Sequence, residues 1–218
     1  MRELTLLALL LLVGCGRHDQ VSAPEFVEFA ARGDAARVQA LLEDGADVNS
    51  RDPSGRTAVT AAVYGGHVAA VRALVEAGAD VDLQDDTRAN AFLACGETGN
   101  VAVLREVLRA EPDLGRTNRF GGTALIPAAD RGHVDTVREL LRTEIDVDHV
   151  NDLGWTALLE AVILGDGGQS HHRVVRLLIA AGADLELGDS EGRTPLTHAR
   201  ERGHEEIARL LERAGAKR

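Results

Sequence analysis

Large rings are scarce in this chain. Of its 218 residues one is Trp, one is Tyr and four are Phe, so aromatics make up 3%. A core here must be built from Ala, Leu and Val, and small side chains at close spacing point to tightly stacked helices. Cysteine is scarcer still. Two residues cannot form the framework that staples small secreted domains. Basic residues are in deficit, with 24 Lys and Arg against 35 Asp and Glu, for a formal charge of -11. Phosphate contacts need clustered Lys and Arg, so this balance argues against a nucleic-acid binder. What the chain does have is a hydrophobic fraction of 44%, too high for a disordered chain and enough for a substantial core.

The first residues are a separate matter. Leu4 to Val13 form an apolar run broken only by Thr5. It falls well short of the about 20 residues that span a bilayer. It follows Arg2 and ends at Gly14-Cys15, the layout of a secretory signal peptide. Leu12-Val13-Gly14-Cys15 resembles the bacterial lipobox. That resemblance implies cleavage after residue 14 and a diacylglyceryl group on the Cys15 thiol, with 15–23 as lipidated cysteine and tether. The alternative is an ordinary signal peptide with Cys15 a bystander. Gly16, where an Asp would mark inner-membrane retention, implies the periplasmic face of the outer membrane. Cleavage removes Arg2 and Glu3 together, so 23 basic residues face 34 acidic ones and the charge stays at -11. Cys95, between Ala94 and Gly96, reads as a buried thiol used as a small hydrophobe.

The remainder repeats itself. Gly33, Gly66, Gly99, Gly132 and Gly165 are spaced by 33 residues, and Gly203 follows 38 further on. The same offsets link Thr57, Asn90, Thr123, Thr156 and Thr194. Turn-forming segments precede them, such as Asp52-Pro53-Ser54-Gly55 and Asn151-Asp152-Leu153-Gly154. Amphipathic segments follow each glycine, as in Val68 to Val75 and Val134 to Leu141, with apolar residues on one helical stripe. Closers recur as well: Gly45-Ala46-Asp47-Val48-Asn49, Gly78-Ala79-Asp80-Val81-Asp82 and Gly182-Ala183-Asp184-Leu185-Glu186. Glycine there is a C-cap signal.

These residues resemble the ankyrin repeat. Gly192-Arg193-Thr194-Pro195-Leu196 carries its opening, and Gly66-His67, Gly132-His133 and Gly203-His204 carry its middle. The resemblance implies an all-α ankyrin-repeat solenoid of paired antiparallel helices with β-hairpin fingers. It covers residues 24–216 in six units, the first and last acting as caps. It also implies that His67, His133 and His204 bond neighbouring backbone. Threonine at each first-helix start is expected to cap it. The third unit is irregular, with Asn90-Ala91-Phe92-Leu93 at its start and Glu111-Pro112-Asp113-Leu114 at its end. Pro127 is expected in the first turn of its helix, where proline is tolerated. Asp166 to Ser170 form an insertion expected to lengthen the link between the two helices of the fifth unit, which makes His171 the displaced counterpart of His133.

The resemblance implies protein binding through the fingers and the concave face. Carried onto this chain, it nominates Arg88, Arg119, Phe120, Leu153, Trp155 and Glu160. Trp and Arg are favoured at interface hot spots. Trp155 and Phe120 either face a partner or pack the neighbouring finger, and Glu160 is placed to line the same groove as Trp155. No catalytic residue or cofactor is expected, since there is no phosphate-cradling loop and no nucleophile elbow. No metal is expected either, because adjacent His171 and His172 point apart on a helix. The expectation is a monomeric, lipid-anchored, non-catalytic scaffold that binds an unidentified protein and is held to the membrane through Cys15. The alternative is an accessory or chaperone-like protein that protects an envelope enzyme, in stress resistance for instance.

Overall fold

The structure is a computed structural model that describes residues 21–217. The leader and Cys15 lie outside the described residues. Among the described residues twelve helices follow one another in six pairs. They are α1 (Ala23–Ala31) with α2 (Ala35–Glu43), α3 (Ala58–Tyr64) with α4 (Val68–Glu76), and α5 (Ala91–Thr98) with α6 (Val101–Leu108). Then come α7 (Leu125–Asp130) with α8 (Val134–Leu140), α9 (Ala157–Ile163) with α10 (Gln169–Ala180), and α11 (Pro195–Glu201) with α12 (Glu205–Arg213). First helices pack on first helices of adjacent units and second helices on second, which is a solenoid.

Small residues allow the inner row to approach closely. Ala58, Ala62, Ala91, Ala128 and Ala161 are fully buried. The outer row fills its interfaces with Val71, Leu74, Leu104, Val137, Leu140 and Leu178, also fully buried. Each such leucine contributes about 2 kcal/mol by leaving water. Cys95 lies fully buried in α5, where desolvation pushes its thiol pKa up. On the back of the second helices, Arg72 pairs with Glu106 at 2.7 Å and Arg105 with Glu139 at 3.2 Å. No helix among the described residues is long and apolar enough to cross a membrane.

Local chemistry sets the helix starts. Ser22 and Glu25 form a capping box, so α1 begins at Ala23, inside the stretch read from sequence as tether. Thr57, Asn90, Thr156 and Thr194 accept the N–H three residues on, at 3.4, 2.7, 3.2 and 3.3 Å. Thr123 departs from this expectation. In the other units the capping residue's carbonyl takes the N–H four residues on; here that residue is Pro127, which has no N–H, so the Thr123 carbonyl takes the Ile126 N–H at 3.2 Å and α7 begins one residue late. The Thr123 hydroxyl is left buried without a partner. Gly96 makes room for this displaced start, since a Cβ there would sit 2.0 Å from the Ala124 carbonyl oxygen.

The histidine ties also show one departure. The Nε2–H of His67 donates to Ala31 at 3.0 Å, that of His133 to Glu97 at 3.2 Å and that of His171 to Asp130 at 2.7 Å, each to a backbone carbonyl. His204 lies over Gly167 as His67 lies over Gly33 and His133 over Gly99, but it makes no such tie, and its Nδ1 is buried with no partner. The insertion explains the difference. In the fifth unit the left-handed glycine is Gly167 (φ 68°) rather than Gly165, and α10 starts two residues before His171. The extra residues are thus shared between the link and the helix.

The finger segments are turns, and no sheet forms among the described residues. Among the described residues the one β contact outside helices is the isolated bridge between Arg51 and Thr57. The reason lies in five copies of one motif. Asp52, Asp85, Asn118, Asn151 and Asp189 each accept two backbone N–H groups on Oδ1, from the residues two and four positions on. Those donors would otherwise be available to a ladder. Neighbouring fingers are linked by isolated backbone bonds, such as Asp86 N–H to Ser54 at 3.1 Å and Asp152 N–H to Phe120 at 2.9 Å, and by side chains, such as Arg51 to the Gln84 carbonyl at 2.9 Å.

Closers staple one unit to the next. Side chains of Asn49, Asp82, Asp148 and Glu186 accept the backbone N–H of Asp80, Asp113, Asp184 and Lys217, at 2.9, 2.9, 2.9 and 2.7 Å. Gly115 occupies this position at the junction of the third and fourth units and has no side chain to do so.

Candidate functional site

The fingers and the inner helices enclose a concave groove of about 430 Å³. It runs from Tyr64 in the second unit to Leu164 in the fifth. Its floor follows from one register position, nine residues after the Asx of each finger. That position holds Ala61, Ala94 and Pro127 in the second to fourth units, so no long side chain crosses there. In the fifth unit it holds Glu160 and in the sixth His198.

Four large apolar side chains line this groove while exposed to solvent: Tyr64 at 39%, Leu164 at 51%, and Phe120 and Leu153 at 54%. One Val, Val150, shares this exposure outside the groove. The Arg119 guanidinium lies 4.8 Å from the centroid of the Phe120 ring. This stacking holds ring and cation together at the fingertip.

The acidic groups of the groove differ in their company. Glu97 accepts from the Tyr64 hydroxyl at 3.0 Å and pairs with Arg131 at 3.1 Å. The Tyr64 hydroxyl is pushed up in pKa, chiefly by burial and then by Glu97. Glu160 is 7% exposed and accepts one hydrogen bond, from the Asn151 amide at 2.7 Å. Burial and then the charge of Asp130 raise its carboxyl to about 7, against the smaller opposing effect of Asn151.

The structure scatters the residues nominated from sequence. Arg119, Phe120, Leu153 and Glu160 meet in the groove. Trp155 is half-buried and does not line it, so it does not share a groove with Glu160. It sits on the return side of the turn, where its N–H is held by Asn151 at 3.0 Å. Arg88 is exposed beside the groove, and its φ of 61° is the left-handed conformation supplied elsewhere by Gly55, Gly121, Gly154 and Gly192. Sequence reasoning missed Tyr64, Leu164 and Asp130. The signal was available for two of them: Tyr64, Glu97 and Asp130 stand 33 residues apart at the ends of α3, α5 and α7.

Comparison with known proteins agrees with this geometry. A model of ankyrin repeats in three copies matches residues 4–85, 26–114 and 91–185, and a single-repeat model matches residues 191–217. An ankyrin repeat domain from Acinetobacter baumannii AYE is 46% identical with a TM-score of 0.85, over 88% of this chain and 98% of that one. The ankyrin repeat protein EF0377 is 37% identical with a TM-score of 0.84, over 88% of this chain and 98% of its own. The putative ankyrin repeat protein YahD of Escherichia coli (strain K12) is 54% identical over 57 residues, 26% of this chain. That match spans 28% of the relative's own length. Stacked helix pairs, repeated Asx turns and these matches together place the chain in the ankyrin-repeat family, whose domains are protein-interaction scaffolds.

Proposed function

We propose that the chain is a lipid-anchored scaffold of the bacterial envelope that binds another protein in its concave groove. The observation that carries the binding half is the cluster of exposed Tyr64, Phe120, Leu153 and Leu164 around one groove. A solvated patch of this kind is costly to leave open and gains free energy when covered. The anchor rests on the sequence alone, on Leu12-Val13-Gly14-Cys15 after an apolar run. The two halves are tested separately. Metabolic labelling with a palmitate analogue should tag the protein, and Cys15→Ser should abolish the tag and release the chain from membranes. A photo-crosslinking residue placed at Phe120 or Leu153 should trap one dominant protein in cells. Trapping at those positions no stronger than at exposed Arg213, on the end of the last unit, would remove the groove from the proposal.

A further inference from the structure

The groove is apolar along its wall and acidic at one end. Phe120, Leu153 and Leu164 line it together with Asp130 and Glu160. Its other charges are already engaged. Glu97 is bonded to Arg131 and Tyr64, and the Arg119 guanidinium rests on the Phe120 ring. Among the described residues no Lys, Arg or His pairs with the side chain of Glu160 or Asp130. Glu160 is more than nine-tenths buried, and its one recorded bond, from the Asn151 amide, falls on Oε1. A buried carboxylate without a cation is unfavourable, and a long basic side chain satisfies it while its alkyl stem covers apolar surface. The chain's formal charge of -11 favours the approach of such a partner.

We propose that the groove takes a segment of a partner protein that presents a Lys or Arg to Glu160 and Asp130 and an adjacent apolar side chain to Phe120, Leu153 and Leu164. This rests on the reading of the groove as a protein-binding site and names the chemistry it selects.

Random twelve-residue peptides displayed on phage, panned against the full chain, test it. Two comparison proteins are used: Glu160→Gln with Asp130→Asn, and Phe120→Asp with Leu153→Asp. Wild type should enrich peptides with Lys or Arg next to a large apolar residue. The neutralised protein should retain the apolar preference and lose the basic one, with binding of the selected peptides weakened at least tenfold. The Phe120→Asp, Leu153→Asp protein should enrich neither. Equal enrichment of basic residues on the neutralised protein would overturn the cation assignment and leave the groove reading intact. Enrichment on wild type no better than on the Phe120→Asp, Leu153→Asp protein would overturn the groove reading itself. Thermal melts establish that each variant is folded, and Glu160→Gln alone serves if the double change is not.

Discussion

The fifth and sixth units build the same turn and make opposite use of it. In both, Oδ1 of the Asx accepts two backbone N–H groups, and the other terminal atom of that side chain faces a first-helix residue nine positions on. In the sixth unit that atom is Oδ2 of Asp189, which accepts from Nε2 of His198 at 2.8 Å. In the fifth it is Nδ2 of Asn151, which donates to Glu160 at 2.7 Å. Exchanging acid for amide reverses the direction of the bond, and the helix residue changes to match. The electrostatic consequence is opposite too. Burial pushes the Asp189 carboxyl up, but the Arg193 N–H, His198, the Glu191 N–H and the Arg193 side chain outweigh it and hold it at about 2. Glu160 has one amide and an acidic neighbour, and stands at about 7. One pair is a finished structural contact. The other leaves a carboxyl for which the fold itself provides no cation.

Breaking the finished pair should have the largest effect. Asp189→Ala removes the acceptor for two turn N–H groups and for buried His198. Unmet buried donors retain their full desolvation penalty. The melting transition of the sixth unit, followed by hydrogen exchange, should fall by roughly 5–10 °C. A change within 1 °C or so would show the pair to be incidental.

Making the fifth unit half like the sixth comes next. Asn151→Asp would set a carboxylate oxygen against Glu160 where an amide now donates. At pH 8 this should cost about 1–3 kcal/mol. Adding Glu160→His rebuilds the Asp–His pair of the sixth unit and should recover most of that loss. A double-mutant cycle reads the coupling directly. Additive single effects would mean that the two positions do not communicate, and the comparison would fail.

Glu160→Gln should act through pH. The folded carboxyl titrates near 7, above its ordinary value of 4.5. The folded state therefore binds more protons than the unfolded state between those values, and stability falls as pH rises through that window. Gln keeps the oxygen that accepts from Asn151 and removes the charge. It should leave stability unchanged at pH 4.5 and raise it at pH 8 by on the order of 1 kcal/mol, discounted for the groove's access to water. Asp189 carries the opposite sign, because its pKa is depressed from 3.8. Its contribution is present above that value and is lost as pH falls toward 2. Chemical denaturation at pH 4.5 and 8 checks the first sign, and a series below pH 4 checks the second.

The contrast between these units was half visible in the sequence. The period of 33 exposed the helix pairs, since spacing is a property of the chain itself. The offset of nine from Asn151 to Glu160, shared by Asp189 and His198, was equally present. It carries meaning only once Oδ1 is known to be occupied by the turn, and that is a backbone fact. Trp155 drew attention as the single Trp, yet its register position holds Arg56, Ala89, Gly122 and Arg193 in the other units, which is no basis for one shared role. Tyr64 ends α3 and Leu164 caps α9, where a helical stripe cannot say whether a side chain faces a groove or a neighbour. The slipped start of α7 was illegible for another reason: Pro127 signals the restriction, but the relief at Gly96 comes from the adjacent unit.

Trp155 and Arg193 give the finest division between the two units, since they occupy the same register position. Arg193 donates to Oδ2 of Asp189 at 3.1 Å through Nε, and its side chain is 41% exposed. Asp189 keeps its two N–H donors and His198 when Arg193 is absent. An exposed cation added to an acid already satisfied contributes little, because solvent competes for both partners. Arg193→Ala should therefore shift stability by less than about 0.5 kcal/mol, with a smaller shift still at high salt. Asp189→Ala measured beside it supplies the scale. If Arg193→Ala were instead comparable to Asp189→Ala, the ion pair rather than His198 would hold the sixth finger, and the match between Asp–His and Asn–Glu would no longer explain why one unit is closed and the other open.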